Sequence, residues 1–291
     1  MNASFIRSQL QKLKYKQEPL QVERMGQDVA GALLQRDRLK LDTEEISFSH
    51  AKGALLTDKK TDAAGAILYL HGGGYCCGDL VYACGYGSVL AADTGAAVLC
   101  LAYRLAPECP FPQGLEDVLE AYQWLLHRYA PEKIAVAGES AGGGLVFALC
   151  LLCKERNLPL PGGLLALSPW TDITQTGSSY IFNQEADPSM TREHLNRFAE
   201  AYVPREEERT SPLCSPVYGD VRGFPPCRIY VGEDEIMLSD SRRMAEALQT
   251  AGCACRLTVA PGMWHGYVLY DLKERRQDKA AIAAFLREVT A

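Results

Sequence analysis

From about residue 44 onward the chain alternates between short continuous apolar runs and longer segments whose apolar positions recur every three or four residues. Ala66-Ile67-Leu68-Tyr69-Leu70 is of the first kind, as are Ala97–Leu101, Ile134–Ala137, Leu164–Leu167, Arg228–Val231 and Arg256–Val259. Runs this short and this apolar suit strands covered on both faces, the environment inside a parallel sheet sandwiched by helices. Leu115, Val118, Leu119, Tyr122, Leu125 and Leu126 are of the second kind and draw one apolar stripe along a helix. Arg242–Thr250 and Lys279–Val289 read the same way. The alternation predicts an open, mostly parallel α/β sheet flanked by helices.

Two stretches stand outside the alternation. Residues 1 to about 40 have a helical pattern and precede the first strand. Residues from about 173 to 209 are polar with scattered apolar positions and are too long for an ordinary connection. Both are expected as pieces of a lid over the C-terminal edge of the sheet. No repeat, low-complexity tract or flexible linker divides the chain, so residues 1–291 are expected to form a single domain.

Composition narrows the function classes. Hydrophobic residues make up 47% and charged residues 23%, which is enough apolar surface for one large core. The formal net charge is −6 without a block of Lys or Arg, so nucleic acid and anionic membrane are not expected partners. The first twenty residues are polar and no segment approaches the roughly 20 apolar residues of a membrane span, so a cytoplasmic location is expected. The eleven cysteines are odd in number, irregular in spacing and often embedded in apolar runs, as Cys100 and Cys150 are. They read as buried free thiols. Cys76-Cys77, Cys150/Cys153 and Cys253/Cys255 do not converge on a four-ligand spacing, and no metal site is expected from them.

Three motifs carry chemistry. Gly138-Glu139-Ser140-Ala141-Gly142 follows one predicted strand and opens into the helical run Leu145–Leu149. A serine at such a strand-to-helix turn is held exposed, and the flanking glycines let neighbouring backbone pass close by. The N–H of Ala141 then lies at a helix N-terminus, aimed at a developing oxyanion. His71-Gly72-Gly73-Gly74-Tyr75 also follows a strand, and its glycines can turn backbone N–H groups toward a substrate. The Lys-Ser/Thr pair of a phosphate loop is missing after them, where Tyr75-Cys76-Cys77 stands instead. His71 itself reads as an organiser of this loop.

The third motif supplies a base. Only His194 and His265 follow Ser140 in the chain. His265 lies in Pro261-Gly262-Met263-Trp264-His265-Gly266 directly after a predicted strand, at the sheet edge where open α/β folds gather function. His194, beside Arg192 and Glu193, reads as a solvated surface residue. The acid is expected in Gly232-Glu233-Asp234-Glu235, and Asp234 is the choice among a crowd that includes Glu233, Glu235 and Asp240.

These motifs, with Tyr103-Arg104-Leu105-Ala106-Pro107-Glu108, Ser168-Pro169-Trp170-Thr171-Asp172, Ser211-Pro212 and Ser215-Pro216, resemble the bacterial hormone-sensitive-lipase-like esterases, the HGGG or family IV carboxylesterases. The resemblance runs from about residue 66 to the C-terminus. It implies an α/β-hydrolase fold with a small helical cap, a Ser140–Asp234–His265 triad, and oxyanion donors at Gly73, Gly74 and Ala141 with Gly72 supporting their loop. It implies a serine carboxylesterase acting on short-acyl esters through an acyl-enzyme, with no metal or organic cofactor and often a homodimer. A deacetylase or amide hydrolase would use the same triad. A non-catalytic receptor on this scaffold lacks the histidine that is present here as His265.

Overall fold

The computed structural model of the protein describes residues 2–16, 18–34, 40–59 and 63–291. Its centre is an eight-stranded sheet: β1 (Leu41–Ser47), β2 (Lys52–Asp58), β3 (Ala66–Leu70), β4 (Ala97–Ala102), β5 (Ile134–Glu139), β6 (Gly163–Leu167), β7 (Cys227–Gly232) and β8 (Cys255–Ala260). The strand order is β1-β2-β4-β3-β5-β6-β7-β8. β1 and β2 pair antiparallel, as do β2 and β4, and every later pairing is parallel. β3 through β6 are buried along nearly their whole length, which is why their sequences read as unbroken apolar runs.

The helices between the strands are α3 (Leu80–Thr94), α4 (Gln113–Leu126), α5 (Ala141–Glu155), α8 (Leu238–Thr250) and α9 (Arg276–Thr290). The stripe read from the sequence at Leu115, Val118, Leu119, Tyr122 and Leu125 is the buried face of α4. Two core layers result, one on each face of the sheet. Arg104 closes the turn before α4 through its guanidinium on buried Asp117, 2.7 Å away.

The two stretches outside the alternation are helical. The first contains α1 (Ala3–Leu13) and α2 (Leu20–Leu34); residues 1, 17 and 35–39 of that stretch lie outside the described residues. α1 begins on Asn2, whose side chain accepts from the Ser4 N–H. α2 packs on α3 at a glycine contact. A methyl group on Gly31 would sit 2.4 Å from the Cα of Tyr82, and one on Gly85 would sit 2.7 Å from the Gly31 carbonyl. The second stretch contains α6 (Ser179–Phe182) and α7 (Arg192–Tyr202), the latter capped by the Thr191 hydroxyl on the His194 N–H. Among the described residues no helix is long and apolar enough to cross a membrane.

Candidate active site

The parallel strands deliver their C-terminal ends to one edge of the sheet, and the loops there meet around a cavity of about 780 Å³. Ser140 stands at the junction of β5 and α5 with φ 55° and ψ −120°. That backbone is one an L-residue rarely adopts, and it is held by the Ser140 N–H on the Leu167 carbonyl and by Trp170 and Gly144 N–H groups on the Ser140 carbonyl. The turn is too tight for side chains on either flank. A methyl group on Gly138 would sit 2.5 Å from the Gly142 carbonyl, and one on Gly142 would sit 2.1 Å from the carbonyl of Leu70 at the end of β3. The serine is therefore pressed against the loop that follows β3.

That loop carries Gly72, Gly73 and Gly74. Gly73 has φ 113° and Gly74 φ 61°, conformations that favour glycine. The N–H groups of Gly73, Gly74 and Ala141 donate to no acceptor among the described residues, and Gly73 and Gly74 line the cavity with Ser140. Gly72 differs: its N–H donates to Glu139 Oε1 at 2.6 Å. Its only backbone donor is thus used in supporting the loop, not in facing the cavity.

Glu139 is fully buried and receives the Tyr69 hydroxyl as well as the Gly72 N–H. Burial pushes its carboxyl up to about 7, against the pull of those hydrogen bonds. His71 is also buried, stacked on Tyr103 at 4.3 Å with Nδ1 2.7 Å from the Gly72 carbonyl. Burial lowers its imidazole to about 4, so it is neutral at pH 7 and holds the loop.

His265 follows β8 and lines the same cavity as Ser140. Its Nδ1 lies 3.0 Å from Glu235 Oε2. Glu235 follows β7, is fully buried, and uses its other oxygen to accept from the Gly232 N–H at 2.5 Å and the Ser168 hydroxyl at 2.6 Å. Ser168 in turn accepts from the Gly266 N–H at 3.0 Å, which ties the acid loop to the histidine loop. Burial alone would lower the His265 pKa, but the hydrogen bond to Glu235 and the charges of Glu235, Asp187 and Glu139 raise it above 6.5.

Asp234, the acid expected from the sequence, does not meet His265. Its N–H donates to the Met263 carbonyl and its Oδ2 accepts from Arg7 Nη1 at 2.7 Å. Arg7 belongs to α1 and also reaches the carbonyls of Ala186 and Gly262. One position along the turn reverses the direction of the side chain, so Asp234 faces the cap helix while Glu235 points inward. Asp240, in the first turn of α8, accepts from the Thr171 and Asp172 N–H groups instead. The one local signal for Glu235 is its place directly before the apolar run Ile236-Met237-Leu238.

His194 also departs from its reading as a surface residue: it lines the cavity from α7, with its Nε2 sealed from solvent. Arg7, Ser168 and Glu23 are further residues at the site without a role in the sequence reading. Only Ser168, within Ser168-Pro169-Trp170, lay in a motif that marked it.

The chain matches the alpha/beta hydrolase fold family over residues 67–269. An acetyl-hydrolase of Streptomyces hygroscopicus is 37% identical over 248 residues, spanning 84% of this chain and 82% of that protein. An esterase of Acinetobacter venetianus is 32% identical over 229 residues, spanning 78% of this chain and 76% of its own length. Among solved structures, an esterase from the bacterial hormone-sensitive lipase family superposes with a TM-score of 0.93 at 33% identity, covering 99% of this chain and 98% of the other.

Proposed function

Since the chain belongs to the alpha/beta hydrolase fold family and is a carboxylic ester hydrolase akin to the hormone-sensitive-lipase-like esterases, we propose that Ser140 is its nucleophile, His265 its base and Glu235 its acid. What supports this reading most is the 3.0 Å hydrogen bond between buried Glu235 and His265, which lines one cavity with Ser140.

In this mechanism Ser140 Oγ attacks the ester carbonyl while His265 Nε2 takes its proton. Glu235 fixes the imidazole with Nδ1–H toward the carboxylate and stabilises the imidazolium that forms. The negative charge on the carbonyl oxygen is met by the free N–H groups of Gly73, Gly74 and Ala141, each worth about 2.7–4 kcal/mol in the transition state. The alcohol leaves with the proton from His265. Water then attacks the acyl-enzyme through a second oxyanion, with His265 again taking and returning the proton. Every proton is carried by the chain's own residues, so no metal or organic cofactor takes part.

The substrate is a small molecule with a short acyl group, a reading supported by the acetyl-hydrolase among its relatives. The eleven thiols, none in a disulfide, support a reducing, cytoplasmic compartment. The test is a p-nitrophenyl ester series from acetate to palmitate, with Ser140→Ala as control. Turnover is expected on the short esters and is expected to fall by about 10⁶-fold in kcat for the variant, with an unchanged melting curve. A Ser140→Ala variant as active as the wild type, or a preference for palmitate, overturns the assignment.

A further inference from the structure

The cavity around Ser140 has one polar corner that the hydrolytic machinery does not use. Glu23 on α2 and His194 on α7 both line it. The two carboxylate oxygens of Glu23 are sealed from solvent and accept no hydrogen bond among the described residues. His194 Nε2 lies 3.2 Å from Glu23 Oε1 and Arg197 Nη1 lies 3.6 Å from the same oxygen, close enough for attraction but not formed as hydrogen bonds. A carboxylate has about four acceptor positions, and leaving a buried one unfilled costs more than an ordinary hydrogen bond returns. Such a site gains from a ligand that brings a donor.

The corner is held firmly and lies beside the reacting centre. The His194 ring packs on Phe198 with 4.6 Å between centroids, and the His194 backbone N–H donates to the Thr191 hydroxyl. Phe198 in turn presses on Gly74, where a methyl group would sit 2.2 Å from the phenyl ring. The polar pair therefore stands just behind the loop that faces the ester carbonyl.

We propose that Glu23 and His194 form a specificity subsite for a free hydroxyl on the alcohol portion of the ester, so that the substrate class is a partially acylated polyol. A hydroxyl donates to the Glu23 carboxylate and accepts from His194 Nε2–H, supplying the hydrogen bonds that both groups lack. An ammonium group accepts nothing from His194 and meets the positive charge of Arg197. The proposal rests on the short-acyl reading given above: a short acyl group ends near Ser140, and the part of the substrate that reaches α2 and α7 is then the alcohol.

The test compares 4-hydroxybutyl acetate with pentyl acetate, which differ by a terminal hydroxyl in place of a methyl group. The readout is the ratio of their kcat/KM values in the wild type, Glu23→Leu and His194→Phe, with p-nitrophenyl acetate run alongside. The wild type is expected to favour the hydroxylated ester, and the ratio is expected to fall roughly 10- to 100-fold in Glu23→Leu. His194→Phe is expected to lower it in the same direction. A wild type that hydrolyses p-nitrophenyl acetate yet prefers pentyl acetate overturns the subsite while leaving the esterase reading intact. A ratio unchanged in both variants overturns it as well.

Discussion

Asp234 and Glu235 are adjacent carboxylates in opposite surroundings. Asp234 is half-buried on the Arg7 guanidinium, and Glu235 is fully buried on His265. Glu235→Gln is therefore expected to lower kcat by about 10⁴-fold, the scale of losing the carboxylate that fixes an imidazole tautomer. Asp234→Asn is expected to leave kcat within about threefold, since it trims only a half-exposed ion pair. The pH profile follows from His265, whose pKa is raised. The neutral imidazole is the active base, so kcat/KM is expected to rise with pH through an apparent pKa above 6.5. The ion pair with Glu235 works in the other direction on stability: its contribution is full below 6.5 and is lost as pH rises through the folded-state value. A pH–rate limb at or below 6.5, or equal losses in the two variants, contradicts this assignment. Ser140 and His265 were legible because glycines and a preceding strand mark the turns on which they sit. The proposed acid was not, because three carboxylates share one loop, a fourth opens the helix after it, and only the direction of a single turn separates Asp234 from Glu235.

At the scale of elements, legibility followed the apolar pattern rather than burial itself. The six strands read from continuous apolar runs are β3 to β8, each recovered to within two residues. β1 and β2 were not singled out. β1 pairs antiparallel at the sheet edge with four consecutive exposed positions, so it has no apolar run to read. α3 is apolar on nearly every side and buried through its middle, which leaves no stripe of helical period. The junction of β5 and α5 with the end of β3 is where element packing sets the chemistry. Gly142→Ala places a methyl group against the carbonyls of Leu70 and His71, both backbone atoms that cannot swing aside. The variant is expected to lose about 1–3 kcal/mol of stability. It is also expected to lose kcat at least tenfold, because the Ala141 N–H moves away from Gly73 and Gly74. Thermal melts with steady-state rates on p-nitrophenyl acetate check this, and wild-type values in both contradict it.

At the scale of the molecule, the sheet edge and the two helical segments close one site from separate parts of the sequence. Arg7 joins them: a single guanidinium from α1 reaches Ala186 in the second helical segment, Asp234 next to Glu235, and Gly262 in the loop that carries His265. Gln27 and Arg24 of α2 add hydrogen bonds to the Gly72 and Cys76 carbonyls of the loop after β3. Long-range contacts of this kind leave no local pattern, which is why the helical pattern of residues 1 to about 40 could be read from the sequence but the side chains that both segments turn toward the cavity could not. His194 shows the cost of that, since its charged neighbours in sequence suggested water where the fold supplies Glu23. The central claim is that one serine, activated by His265 and Glu235, carries the acyl group. It is tested most directly by treating the folded protein with a fluorophosphonate and mapping the adduct by peptide mass spectrometry. One equivalent on the peptide containing Ser140, with labelling lost in Ser140→Ala and strongly slowed in Glu235→Gln, is the result expected. Labelling at another residue, or undiminished labelling of Ser140→Ala, contradicts the account.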